Sequence, residues 1–217
     1  MVAKFYQRYK NDIIKIIPHL KSVRFAAQIF SMKYFFAIVF FTFICLFASA
    51  QSKVPPVDKS PMDMNYYPSG YPVLKIQDKA TEPLIARVIY SRPQKNNRTI
   101  FGDLVEYGKV WRLGANEATE IEFFQTVRIG GVKVRRGRYT LYCIPFEEKW
   151  TMIINRETDT WGSFKYDEAK DVTRLDVPVL KQNDVTEFFS MYFEKSAMGA
   201  SLAMQWDNIR VNLPITF

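Results

Sequence analysis

The residues with the most chemical potential lie close together in the sequence. Residues 90–119 carry arginine, tryptophan, asparagine and glutamate side chains suited to ligand contact, namely Arg92, Arg98, Trp111, Arg112, Asn116 and Glu117. Guanidinium groups match carboxylates and phosphates in two-point hydrogen bonds, and a flat indole face can stack on a sugar ring. These residue types favour a site that binds a glycan or another ligand of the cell envelope.

Each of these side chains also has a structural alternative. The arginines could instead tie the connection down, Arg112 by pairing with Glu117 and Arg98 by pairing with Asp103 or Glu106. A lone tryptophan such as Trp111 most often packs in a core. The sequence alone leaves both alternatives open.

Two aromatic residues further along the chain join the candidate ligand contacts. Trp161 lies in the polar stretch 159–163, where a turn would expose its side chain, and Tyr166 follows shortly after. Packing is again the alternative for Trp161. We include both residues on the condition that the sheets fold so as to bring them near the 90–119 connection.

Composition excludes several enzyme mechanisms. Beyond residue 50 the chain has no histidine and one cysteine, Cys143, so it cannot form a Ser–His–Asp triad, a Cys–His pair or a histidine-bearing metal site. Glu117 is the one candidate for a catalytic group, as a general acid or base with Arg112 stabilising charge. Glycoside hydrolysis would need a second carboxylate about 5–10 Å away. We therefore favour binding over catalysis and expect neither a cofactor nor a metal.

Residues 32–50 have the layout of a secretory signal peptide. An apolar run over 34–47 follows the positive charge of Lys33, and small residues at 48–50 form a cleavage site. A membrane-spanning helix needs about 20 apolar residues, so we expect membrane contact only through 34–50. The predicted location is periplasmic or extracellular after cleavage near Ala50, and an uncleaved anchor is the alternative.

The residues on either side of this segment have simpler interpretations. The basic residues 1–31 are interpreted as an over-extended start before Met32, or alternatively as the cytoplasmic tail of an anchored protein. Residues 51–72 contain five prolines without apolar periodicity, which predicts a linker. A single domain is then expected over 73–217. Its charge argues against a nucleic-acid partner, because the first 50 residues hold seven of 30 Lys/Arg and one of 22 Asp/Glu, leaving a net charge of only +2.

Period-2 alternation of apolar residues marks most of this domain as strands. Strands are predicted over 84–90, 119–124, 138–145, 149–155, 172–179, 187–194, 202–206 and 209–217, with a hairpin over 127–134 that turns at Gly130 and Gly131. Helix signals are confined to single turns near 104–110 and 167–170. The predicted class is all-β: an antiparallel β-sandwich, jelly-roll-like, with few short helical turns.

Motifs within the long connection resemble a known family. They are Tyr-Ser-Arg-Pro at 90–93, Ile-Phe-Gly at 100–102 and, most specifically, Trp-Arg-x-Gly-Ala-Asn-Glu-Ala-Thr at 111–119. With Gly-x-Tyr-Thr-Leu at 137–141 and Trp-Gly at 161–162, they resemble domain of unknown function 2911, which is met mainly in exported proteins of Bacteroidota. The resemblance covers about 73–217 and implies domain limits and class, with no activity to carry over. This chain departs from the family pattern at Asn97, Glu106 and Leu113.

The sequence therefore predicts an exported β-sandwich that binds an unknown small molecule or glycan through residues 90–119. Two alternatives remain at this point. The first is a carboxylate-dependent hydrolase or lyase that uses Glu117. The second is a structural or assembly protein of the cell envelope, for which an exposed apolar patch or unpaired edge around 209–217 would be the sign.

Overall fold

Alternating apolar side chains form most of the ten strands in the part of the chain that the structure describes. The computed structural model describes Tyr34, Phe40 and residues 54–217. The prefix predicted over 1–31 and the signal peptide predicted over 32–50 lie outside these residues, except for Tyr34 and Phe40, which are helical. All ten strands belong to the unit Pro56–Phe217.

The strands follow one another with few helices between them. In chain order they are β1 (Met62–Tyr67), β2 (Ala86–Ser91), β3 (Glu120–Phe123), β4 (Val127–Ile129), β5 (Val132–Val134), β6 (Gly137–Pro145), β7 (Lys149–Asn155), β8 (Asp171–Pro178), β9 (Leu180–Ser196) and β10 (Gly199–Thr216). A six-stranded sheet has the order β1-β2-β3-β6-β7-β8, and a four-stranded sheet has the order β5-β4-β10-β9. All strand pairs are antiparallel, which confirms the predicted all-β sandwich.

The predicted hairpin over 127–134 is confirmed with its turn. Gly130 and Gly131 both have positive φ angles, 57° and 79°, which is what a two-residue turn between twisted strands requires. The strands predicted over 202–206 and 209–217 form the single strand β10 instead. The register with β9 shifts on both sides of Asp207, whose φ is 54°, so the predicted break between two strands is a bulge within one.

Helical structure within residues 54–217 is limited to two short elements. Helix α1 (Tyr71–Ile76), which the sequence did not predict, follows β1 and has no buried residue. The turn predicted near 167–170 is a 3₁₀ helix over Glu168–Lys170, where the Asp167 side chain accepts a hydrogen bond from the Ala169 amide at 3.0 Å. Residues 104–110, the other predicted helical turn, form non-helical turns.

The predicted linker over 51–72 is wrong for residues 62–67, which form strand β1 beside β2. The alternation in this strand is inverted relative to the usual pattern, because the polar side chains point toward the second sheet. The amide of Asn65 donates to the carbonyl oxygen of Met191 at 2.9 Å, and Asp63 accepts a hydrogen bond from Tyr90 at 3.2 Å. Met62 and Met64 are exposed. Hydrogen bonds made by these polar side chains thus replace the apolar signal that strand prediction relies on.

The core between the two sheets is strongly aromatic. Five rings meet there with centroid separations of 5.1–6.3 Å, and we call them the aromatic cluster: Phe101, Trp111, Trp150, Phe189 and Trp206. Aromatic rings dominate core energetics because each buries a large apolar area. Three of the chain's four tryptophans are therefore committed to packing.

A second, smaller apolar cluster lies away from this core. It consists of Ala118, Tyr142 and Ile153, with Val110 and Tyr166 packed against it. Tyr142 and Ile153 alternate along β6 and β7 with residues of the main core, so they lie on the outer face of the six-stranded sheet. Loops can therefore be held on this face, outside the sandwich.

Candidate functional site

The 90–119 connection mostly closes the sandwich instead of lining a cleft. Ile100, Val105 and Leu113 are buried in the main core. Trp111 is only 8% exposed, and its backbone exchanges two hydrogen bonds with Cys143 of β6, at 2.7 and 3.0 Å. The structure thus places Trp111 in packing, with no ring face open to a ligand.

Arg92 and Arg98 are used internally. Arg92 donates to Asp63 at 3.1 Å, to Ser190 at 2.8 Å and to the carbonyl of Phe189 at 3.3 Å, and so ties β1 to β9. Arg98 donates to the backbone carbonyls of the preceding turn, Lys95 among them, and to neither carboxylate considered from the sequence. Both side chains stabilise the connection itself.

Arg112 is half-buried without an acidic partner among the described residues. Its Nε is enclosed by protein and makes no hydrogen bond there, and desolvation lowers the pKa of its guanidinium. The ion pair with Glu117 considered from the sequence is not formed in the described structure. Arg112 also lines neither of the grooves described below, so it is separated from the other candidate contacts.

Asn116 and Tyr166 each hold a segment in place. Asn116 has a φ of 61°, donates from its side chain to Asp58 at 3.1 Å, and accepts at its carbonyl from the Gly162 amide at 2.9 Å. Tyr166 donates to Asp171 at 2.6 Å, and burial raises the pKa of its hydroxyl. Both side chains are engaged in hydrogen bonds within the protein.

The end of the 90–119 connection is held against β2 by close contacts. The Ser91 hydroxyl donates to the carbonyl of Ala115 at 2.5 Å and accepts from the amide of the same residue at 2.6 Å. A Cβ on Gly114, whose φ is +153°, would lie 2.7 Å from this hydroxyl oxygen. Glycine is required here because the backbone approaches Ser91 too closely for any side chain, and the segment that follows is thereby positioned.

The segment between β7 and β8, which we call the 156–167 loop, is tied at both ends to one residue. Asn155 is fully buried. Its side chain donates to the Asp167 carbonyl at 2.9 Å and to Asp171 at 2.8 Å, and accepts from the Glu157 amide at 2.9 Å. Compact surface loops with ends this close are often functional.

Further contacts hold the middle of the 156–167 loop on the outer face of the sheet. The hydroxyls of Tyr142 and Thr160 are 3.0 Å apart, and Ser163 donates to the carbonyl of Val110 at 2.9 Å. Two aromatic side chains are nevertheless left in solvent: Trp161 is 62% exposed and Phe164 is 84% exposed. The loop therefore presents aromatic surface from a well-supported backbone.

Glu117 and Trp161 are brought side by side by a short antiparallel ladder. The Ala118 amide donates to the Thr160 carbonyl at 3.0 Å, and the Gly162 amide donates to the Asn116 carbonyl at 2.9 Å. The residues between these bonds form a non-hydrogen-bonded pair, the type in which facing side chains lie closest. Of the candidate residues, these two are the ones that the structure places together at the surface.

Two grooves flank the Trp161 side chain. The acidic groove has a volume of about 360 Å³ and is lined by Met62, Ile89, Glu117, Glu120, Asp159 and Trp161, among others. The lysine groove has a volume of about 560 Å³ and includes Tyr142, Trp161, Phe164, Lys165 and Lys170. Trp161 is thus a ridge with ligand-sized space on either side.

The charges of the acidic groove are only partly compensated. Arg138 contacts Glu120 at 3.3 Å and Asp159 at 2.5 Å, and the Asp159 amide donates to Glu120 at 2.8 Å. Glu117 has no ion-pair partner among the described residues and is exposed. Its carboxylate oxygens are therefore available to accept hydrogen bonds from a ligand.

Sequence reasoning missed most of the residues that line these grooves. Met62 and Ile89 come from β1 and β2, whereas Asp159 and Phe164 come from the 156–167 loop. No local pattern joins segments this far apart in the chain. The only signal for the loop was the polar stretch around Trp161, which favoured exposure.

The features so far define an antiparallel β-sandwich with surface grooves beside an exposed tryptophan. The chain belongs to the family described as Protein of unknown function (DUF2911), which matches residues 74–215 and confirms the resemblance seen in the motifs. No curated protein and no solved structure matches it.

Within the described residues, no group of three or more His, Cys, Asp or Glu side chains could hold a metal ion. Those residues also contain no helix with the length and apolar character needed to cross a membrane.

Proposed function

We propose that this protein binds a glycan at the outer face of its six-stranded sheet. The observation that carries the proposal is the pair of exposed side chains Trp161 and Glu117, held together on well-supported backbone between two grooves. The proposed contacts shift from the 90–119 connection, which mostly packs, to the 156–167 loop.

The chemistry of a sugar ring matches this arrangement. The C–H bonds on one face of a pyranose form a flat apolar surface, which covers an indole ring and removes both from water. The ring hydroxyls then project sideways and can donate to a carboxylate such as that of Glu117. Trp161 supplies the apolar stacking surface, and the unpaired carboxylate of Glu117 supplies the hydrogen-bond acceptor.

The two grooves favour an oligosaccharide over a single sugar. With one ring on Trp161, neighbouring rings would extend into the acidic groove and into the lysine groove. Phe164, with 84% of its surface exposed, offers a second apolar contact in the lysine groove. The predicted export of the chain agrees with a ligand of the cell envelope.

A glycan array probed with the full chain, followed by calorimetry with the best oligosaccharide, tests the proposal. Trp161→Ala should weaken binding at least about tenfold, because the main stacking surface is lost. Phe146→Ala is the matched control, since Phe146 is an exposed aromatic residue of the β6–β7 turn outside both grooves. Equal binding by the two variants, or no binding to any glycan, would contradict the proposal.

The same ligand distinguishes binding from catalysis. Glu117→Gln keeps the shape of the side chain and its acceptor oxygen but removes the charge, so a binding role predicts a loss of roughly twofold to fivefold. Product analysis by mass spectrometry shows whether the glycan is cut. Cleavage that stops in the Glu117→Gln variant would establish the hydrolase or lyase alternative instead.

The assembly alternative gains no support from the last strand. β10 lies between β4 and β9 in the order of the four-stranded sheet, and it pairs with β9 as far as Arg210 and with β4 at Thr216. The side chains of Val211, Leu213 and Ile215 are buried in the main core. The apolar alternation of this segment is therefore used inside the domain.

A further inference from the structure

We propose a second binding site, for a single-chain anionic amphiphile such as a fatty acid, at the end of the sandwich where the β9–β10 turn lies. A cavity of about 760 Å³, larger than either groove beside Trp161, opens there. Its lining combines β4, β5 and the β9–β10 turn with Tyr67 at the end of β1. None of its lining residues belongs to the glycan site proposed above.

The mouth of this cavity is cationic. Arg128, Lys133 and Lys195 line it, against one acidic side chain, that of Glu82. The Lys195 ammonium is 3.8 Å from Glu82, and its side chain is 80% exposed, so this pair is long and open to water. Lys133 has no acidic partner among the described residues. An anionic group entering the mouth would therefore meet positive charge that the protein has not neutralised internally.

A second compartment adjoins the first and is mainly apolar. It has a volume of about 230 Å³ and lies between helix α1 and β9, with Tyr71 and Leu74 on one side and Phe193 on the other. Tyr67, Glu82 and Lys195 line both compartments, so the two adjoin at these residues. The position of Lys195 is thus the boundary between the charged space and the apolar space.

Helix α1 covers the second compartment and has little packing of its own. It is six residues long and none of its residues is buried, although Leu74 is half-buried against the second compartment. The opposite wall is firm, because the Tyr67 ring lies 6.1 Å from Phe193 and 5.6 Å from Phe217 in the main body. An acyl chain could therefore lie against fixed aromatic rings under a lightly held helix.

The order of the two compartments selects the chemistry of the ligand. A free anion would use the cationic mouth alone, and a neutral apolar molecule would use the second compartment alone. A molecule with a carboxylate at one end and a hydrocarbon chain at the other fills both, and it loses the least solvation at its charged end because that end stays near water.

Calorimetry on the full chain tests this site with sodium decanoate, below the concentration at which it forms micelles. Decanoate should bind, whereas decyltrimethylammonium, with the same chain and the opposite charge, and acetate, with the same charge and no chain, should not bind measurably. Affinity should rise by up to about fourfold per added methylene from octanoate to decanoate. Equal binding of decanoate and decyltrimethylammonium, or of decanoate and acetate, would overturn the proposal.

Variants locate the site. The double variant Lys133→Gln/Lys195→Gln should bind decanoate about tenfold more weakly. The control double variant Lys109→Gln/Lys181→Gln removes the same charge at exposed lysines outside the cavity and should match the native chain. Leu74→Ser should reduce the gain per methylene, and Trp161→Ala should leave decanoate binding unchanged. An equal loss in both double variants would show that decanoate responds only to net charge and would refute the site.

Discussion

Trp111 and Trp161 are the same residue type in motifs of the same family, yet they have opposite environments. Trp111 lies 5.2–6.1 Å from four other rings between the two sheets and is 8% exposed. Trp161 lies on the outer face of the six-stranded sheet and is 62% exposed. The backbone neighbour decides the difference: Trp111 pairs with Cys143, inside strand β6, whereas Trp161 pairs with Glu117, at the surface.

The comparison shows how this sandwich separates stability from recognition. The aromatic cluster is packed by residues of both sheets and of the 90–119 connection, so losing one ring disturbs many contacts. The 156–167 loop rests on the smaller outer cluster and on Asn155, so its exposed side chains can change at little cost to the core. Stability should therefore depend on the first region and ligand affinity on the second.

The largest effect is expected for Trp111→Ala. Removing this ring leaves a cavity among Phe101, Trp150, Phe189 and Trp206, which should cost about 3–5 kcal/mol of unfolding free energy. Urea unfolding monitored by circular dichroism measures the loss. Trp161→Ala is the control and should change the unfolding free energy by less than about 0.5 kcal/mol. Similar losses in the two variants would remove the distinction between the regions.

Asn155→Ala should have the next largest effect, about 2–3 kcal/mol, because the partners of this buried amide lose their hydrogen bonds. The change should be local. Hydrogen exchange should accelerate over 156–167 and remain slow in β6 and in β10. Asn183→Ala, at an exposed position of β9, is the control and should leave exchange unchanged. Faster exchange throughout both sheets would show that the loop is not an independent unit.

A smaller effect is expected for Tyr90 at alkaline pH. Burial raises the pKa of its hydroxyl to about 12, so the unfolded chain, with an ordinary tyrosine pKa near 10, loses this proton first. The contribution of Tyr90 to stability is therefore complete below pH 10 and is lost as the pH rises from 10 to 12. Between pH 8 and pH 11 the native chain should lose about 1 kcal/mol more than Tyr90→Phe. Parallel pH profiles for the two proteins would contradict this.

The smallest structural effect is expected for Trp161→Phe, which should be nearly silent in stability but visible in fluorescence. Acrylamide quenching should resolve one accessible tryptophan and three protected ones in the native chain, since only Trp161 is exposed. The variant should lose the accessible fraction alone. Strong quenching that persists in the variant would mean that the aromatic cluster is open to solvent.

Most strands could be predicted from the sequence because their side chains alternate against a buried face. The hairpin at Gly130 and Gly131 is the clearest case, since two adjacent glycines allow the positive φ angles of a tight turn. β1 could not be predicted in this way. Its inward side chains are Asp63 and Asn65, which are held by hydrogen bonds to other strands, and its methionines face outward.

The candidate site was predictable in its parts and not in its arrangement. Glu117 and Trp161 were both recognised as candidate contacts, but their pairing depends on a ladder between two segments far apart in the chain. Trp111 and Arg92 belong to the same connection as Glu117 and are used in packing and in internal ion pairing. Residue type alone does not distinguish these uses, because burial is decided by contacts with distant strands.

Asn155 makes the 156–167 loop an exchangeable part of the molecule. Because one buried amide joins the two ends, we expect β7 and β8 to keep their register when residues 158–165 are replaced by a foreign peptide. Evolution can vary specificity here by insertion, and a protein engineer can graft a recognition sequence at the same place. The sandwich would then serve as a display scaffold, because Asn155 already holds the two ends of the loop together.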